Sequence, residues 1–250
     1  GENANIEITS AVAYDGTVNI TNGSQNNDII LGSIVSDGQN GEVNIDSAGQ
    51  ILGSGSIFSS GDVNLNALSN IGASSSLLGI SASGNVNAAG DNIYLGGGSG
   101  AFNVGDIAAN NTVRIENTGT DININGSIQG SDVILKAQNN ILQTSAGKTI
   151  TADNLELFAA NGNIGSIGQA IAFEAGTVKA EAVNGSVILN GIDTTINTGS
   201  IKAGSNIDLS TTGSGDINVD EAINANGYIA LNAADNLNVN QGITSSDTIT

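Results

Sequence analysis

Asp216, Asp220 and Glu221, in the stretch GSGDINVDEA, form the densest group of acidic side chains in the chain. Carboxylate oxygens so grouped suit weak Ca²⁺ coordination, and a solvated turn is the other reading of the same residues. Cleavage of an acidic polysaccharide asks for clustered carboxylates together with cations that hold the substrate. The chain has no histidine and only five basic residues, Arg114, Lys136, Lys148, Lys179 and Lys202. Platforms for sugar stacking are sparse too: Tyr14, Tyr94, Tyr228, Phe58, Phe102, Phe158 and Phe173 are the only aromatics. The run GGGSG from Gly96 to Gly100 is no phosphate loop, because no Gly-Lys-Ser/Thr follows and no helix is available. No catalytic residue, metal ligand or cofactor is therefore expected, and the chain reads as a non-enzyme.

Composition sets what positions these residues. The 250 residues are 39% hydrophobic but only 3% aromatic, so a core has to be built from alanine, valine, isoleucine and leucine in regular rows. There are 35 glycines and 36 asparagines, both turn formers, and no proline, cysteine, methionine or tryptophan. Regular Val/Ile/Leu content argues against disorder. Lack of cysteine excludes disulfides and thiolate metal sites. A net charge of −19 repels phosphate backbones and anionic lipid, which argues against nucleic-acid binding. No apolar run reaches the roughly 18 residues of a membrane span, so no membrane insertion is expected. No signal peptide is evident, and the chain reads as an interior piece of something longer.

An apolar beat recurs at Val18, Val43, Val63, Val86, Val113, Val133, Leu155, Val178, Ile207, Ile229 and Ile249. A repeat of this kind, with a period of twenty-odd, points to a solenoid, propeller or array. Within each unit the period is two: GDVNLNA puts Val63, Leu65 and Ala67 on one side and Asp62, Asn64 and Asn66 on the other. A second beat follows, as at Ile122/Ile124 and Val187/Leu189, then a weaker third, as at Ile150/Ala152 and Ile223/Ala225. Three short strands between tight turns make one coil that cannot bury its apolar face alone and must stack on its copies. The expected fold is all-β: a right-handed parallel β-helix (β-solenoid) with three short strands per coil and about ten to eleven coils. Residues 1–250 form a single segment. A propeller needs longer, antiparallel blades. NNDIILG, from Asn26 to Gly32, matches half of a calcium-roll nonapeptide but occurs once and reads as turn plus strand.

The position after each anchor predicts a surface column: Asn19, Asn44, Asn64, Asn87, Arg114, Ile134, Glu156, Lys179, Asp208 and Ala230. Its asparagines would form an amide ladder, and Glu156, Lys179 and Asp208 would alternate in charge at strand spacing. The column reads as stabilisation of the stack or as a ligand-binding face. Two intervals are longer than the rest, Val86 to Val113 and Val178 to Ile207. They predict protruding insertions near 96–105 and 190–199, with Phe102, Asn103, Asp193, Thr194 and Thr195 as candidate recognition residues.

The units GTVKAEAVNGSVIL, AANGNIGSIGQAIAFEAG and GYIALNAADNLNVNQGITSS resemble the repeat region of filamentous-haemagglutinin-like exoproteins, the large adhesins of bacterial two-partner secretion. The likeness runs from about Gly16 onward and rests on repeat style. It implies a β-helical shaft, export through an outer-membrane secretion barrel, a location on or outside the bacterial surface, and roles in adhesion, biofilm and virulence. The N-terminal secretion domain and an Arg-Gly-Asp tripeptide are missing, so neither barrel recognition nor a specific receptor carries over. A host-cell or matrix protein or a glycan would be the receptor, and end-to-end or lateral self-association is open. The competing functions are a polysaccharide-acting β-helix enzyme and an ice-binding solenoid. The latter needs a regular threonine column, and TIT at Thr149–Thr151 and Thr248–Thr250 is sparse. A cysteine-free, low-aromatic chain also suits a mechanism in which coils stack one by one outside the pore and hinder back-sliding.

Overall fold

The computed structural model describes residues 5–24, 27–39 and 41–250. Among them the chain is all-β, with 26 short strands and no helix, hence none long and apolar enough to cross a membrane. The ladders between strands are parallel, and the fold is a parallel β-solenoid of about 11 stacked turns. Along one side Ile6, Ile29, Ile51, Ile71, Ile93, Val113, Val133, Leu155 and Val178 are successive partners. The coil made of Thr112–Asn117, Ile122–Ile124 and Ile128–Gln129 has three strands. In other coils two of the three merge, as in Ile6–Ala13 and Ile171–Ala182.

Period-two sequence explains the column. Val63, Leu65 and Ala67 point inward and are buried, while Asn64 and Asn66 face out. A lone coil leaves every strand's N–H and C=O unpaired; stacking pairs them, as when the Val18 N–H donates to Glu42 O at 2.9 Å and the Val43 N–H to Asp62 O at 3.0 Å. Proline would remove such a donor, consistent with its absence. The third inward position of a strand lies at a corner, where a small or polar residue closes the turn from inside. Asn117 Nδ2 donates to Gly100 O at 3.0 Å and to Asp121 O at 2.8 Å, and Ser59 Oγ donates to Gly41 O at 2.7 Å. Within NNDIILG, Asn26 lies outside the described residues, and Ile29–Ser36 is a strand preceded by Asp28, as expected.

The anchors do not form one column. Val18, Val43, Val63 and Val86 are mutual partners, but the next partner of Val86 is Val104 and not Val113. Likewise Val178 pairs with Thr198 and not with Ile207. Val113, Val133, Leu155 and Val178 occupy a second side, and Ile207, Ile229 and Ile249 a third. At each crossing the straight strand gains one residue. Val104 and Ile107 oppose Val86 and Ala88, and Thr198 and Ile201 oppose Val178 and Ala180. Gly105 and Gly199 sit at these bulges, where a Cβ would overlap Asn87 or the Lys179 side chain.

This corrects the expected insertions. The long intervals are an ordinary coil plus a step to the next side, and 96–105 and 190–199 run largely as strands, in Ile93–Gly97, Phe102–Ala109, Val187–Ile192 and Ile196–Ala203. The separation of Val18 from Val113 matches that of Val113 from Ile207 to within a single position, so the rod repeats every four coils and turns each unit by one further side. Asn70-Ile71-Gly72 and Asn163-Ile164-Gly165 lie one such unit apart. Gly72 and Gly165 adopt φ of +71° and +74°, and each opens a hairpin closed by an antiparallel bridge, Ala73 to Ser76 and Ser166 to Gln169. Both hairpins leave the coil.

Candidate functional site

Each four-coil unit presents one straight face whose outward side chains stack at strand spacing. On the first face the amide ladder is present. Asn44 Nδ2 donates to Asn19 Oδ1 at 3.0 Å, Asn64 to Asn44 at 2.8 Å, and Asn87 to Asn64 at 2.8 Å. The row ends where the Asp106 N–H donates to Asn87 Oδ1 at 2.9 Å. A parallel row holds Asn66, whose Nδ2 donates to Asp46 Oδ1 at 3.0 Å. Between the rows and the bulge runs an open groove of about 590 Å³, floored in part by Ala88, Ala89 and Ala108. Asp106 lines it near one end, with Ser127 and Gln129 on the next coil. Its carboxyl is held below the usual carboxylate range by the N–H of Ser127, against a small opposing effect of burial and with help from Lys148 Nζ at 3.5 Å.

The second face carries Arg114, Ile134, Glu156 and Lys179 in one row and Glu116, Lys136, Phe158, Glu181 and Lys202 in the next. Glu156 and Lys179 are register partners, as expected, and Lys136 Nζ lies 3.3 Å from Glu156 Oε1. Asp208 does not join them. It stands on the third side between Ile188 and Ala230, because the column steps over at Gly199. Arg114 is held by Glu116 Oε1 at 2.6 Å and donates to Ser74 O at 3.4 Å, so it props the tip of the first hairpin two coils back. Asp208 occupies the equivalent place beside the second hairpin, whose tip residue Ile167 is 90% exposed.

The candidate recognition residues are dispersed. Phe102 is 4% exposed and packs in the core below Ile122, so it is unavailable to a partner. Inward alternation with Val104 puts it there. Asn103 Nδ2 donates to Ser83 O at 3.2 Å and its Oδ1 accepts from Asn123 at 2.9 Å, so it belongs to another amide ladder. Asp193 lies in an exposed turn at φ +46° and accepts from the Ser214 N–H at 3.2 Å. Thr195 Oγ1 accepts from the Asp216 N–H at 3.4 Å, and Thr194 abuts Gly215.

Two of the acidic trio, Asp216 and Asp220, are likewise engaged with the next coil. Asp216 Oδ1 accepts from the Asn236 N–H and Nδ2, both at 2.9 Å, and Asp220 Oδ1 accepts from Asn240 Nδ2 at 2.8 Å. Among the described residues no three His, Cys, Asp or Glu side chains converge as metal ligands. The hairpins escaped the reading of single coils. Their signal is the Asn-Ile-Gly triplet, visible only once the four-coil period is known. Compared with protein-family models, with curated proteins and with solved structures, the chain matches none.

Proposed function

We propose that this chain is a structural and adhesive shaft segment of a secreted or surface-tethered bacterial adhesin of the filamentous-haemagglutinin-like kind. One observation carries the reading: outward polar side chains bond from coil to coil while a single apolar interior continues along about 11 turns. Such residues build reach and rigidity. They hold no group poised for proton transfer or nucleophilic attack, which weighs against the polysaccharide-acting enzyme. Ice binding would need a threonine ladder, whereas Thr151 is flanked by Gln129 and Glu174. On this reading an outer-membrane barrel exports the chain, and a protein or glycan receptor meets it outside the cell.

The test is to delete 113–206, one four-coil unit, from the parent protein displayed on bacteria. The rod should shorten by about 20 Å at about 4.8 Å per coil, and attachment should fall as reach is lost. Attachment unaffected by this deletion and by removal of the whole segment overturns the proposal, as does release of sugar ends from a polysaccharide by the purified chain.

A further inference from the structure

We propose that the second straight face, formed by residues 112–117, 132–137, 154–159, 177–182 and 201–203, binds a second copy of this chain, face to face and antiparallel. The inference is independent of the adhesin reading. Its basis is the order of outward side chains along the rod. Glu116, Lys136, Phe158, Glu181 and Lys202 are consecutive register partners on five coils.

That order is self-complementary when reversed. A two-fold axis along the strand direction through Phe158 keeps each row over its own counterpart and turns the second rod end for end. Glu116 then meets Lys202 of the other copy, Lys136 meets Glu181, and Phe158 meets Phe158. In the neighbouring row Ile134 meets the aliphatic stem of Lys179. The one like-charged meeting, Glu156 with Glu156, falls at the axis, where each carboxylate has its own Lys136 Nζ at 3.3 Å. Three ion pairs form among the described residues, and Lys179, Glu181 and Lys202 take part in none of them. Their charges remain for a partner.

Charge over the whole chain points to the same face. Net charge is −19, and four of the five cations, Arg114, Lys136, Lys179 and Lys202, lie here. Two copies repel wherever acidic surfaces meet, so this balanced face is where they can approach. The first straight face, with Asn19, Asn44, Asn64 and Asn87, has no such alternation. The contact spans about 24 Å along the rod and about 17 Å along the strands, a few hundred Å² per partner, which fits a weak and reversible dimer.

Sedimentation of the 250-residue chain from about 10 µM to about 1 mM, at low and at about 1 M salt, tests this. The mass should rise from 24.7 kDa toward twice that value at low salt and fall back at high salt. Lys202→Glu and Glu116→Lys should each weaken self-association at least about tenfold while the circular-dichroism spectrum shows each variant still folded. An equimolar mixture of the two variants should dimerise again, since Lys at 116 then meets Glu at 202 and Glu116 meets Lys202. A chain monomeric throughout at low salt, a dimer indifferent to both substitutions, or a mixture that stays monomeric overturns the proposal.

Discussion

Asn87 lies directly beneath Gly105, so that a Cβ at Gly105 would occupy the place of the Asn87 amide oxygen. That oxygen accepts the Asp106 N–H at 2.9 Å, which seats the bulge by which the chain moves to its next side. Gly105→Ala should therefore cost about 1–3 kcal/mol through overpacking. Gly98→Ala, at an exposed position with open space around it, should stay within about 0.5 kcal/mol. Urea titration of both variants checks the contrast, and equal losses would refute the role given to the bulge.

Asn64 donates to Asn44 and accepts from Asn87, both at 2.8 Å. Asn64→Ala removes two hydrogen bonds and leaves two half-exposed amides to rebond with water. A loss of about 1–3 kcal/mol is expected, at about 0.5–1.5 kcal/mol for each of the two net bonds. Asn19→Ala removes one bond at the end of the row and should cost less. Thermal melts of the two variants compare them; an Asn19 variant as unstable as the Asn64 variant would count against cooperative stacking along the row.

The amide ladder and the crossing that ends it mark how far the sequence was readable. Alternation at Val63, Leu65 and Ala67 gave the inward face, and a shared offset from Val18, Val43, Val63 and Val86 placed the asparagines in one row. The same offset failed for Asp208, because one extra residue at Gly105 and another at Gly199 move the chain between sides. A single inserted residue changes no local pattern; it shows only in which strand lies underneath. Phe102 misled for a related reason. Its glycine-rich neighbours suggest a loop, yet it stands two positions before Val104 and shares that inward face.

Asp106 supplies a pH dependence with a definite sign. Its carboxyl pKa is lowered in the folded chain, mainly by the Ser127 N–H, so the stabilisation is present above the ordinary carboxylate pKa. It is lost as pH falls through the lowered value. Asp106→Asn keeps an acceptor for Ser127 but removes the titration. The melting temperature of wild type should thus exceed that of the variant near pH 7, and the gap should narrow as pH falls through the lowered carboxyl value. A gap that persists at low pH would assign the effect to geometry instead of charge.

Leu135 tests the continuous interior and its link to export. It is fully buried between Ile115 below and Leu157 above. Leu135→Asp puts a carboxylate where no partner exists, a loss of at least about 4 kcal/mol. Each coil is stabilised only by its neighbours, so damage should stay local at first, and limited proteolysis should cut near residues 113–157 before the outer coils yield. On the proposed adhesin reading, coils that stack outside the pore would hinder back-sliding, and the variant should stall with its later coils protease-sensitive. Leu157→Asp should act alike, one coil further on. Secretion at the wild-type level with intact protease resistance in both variants would separate export from coil stacking.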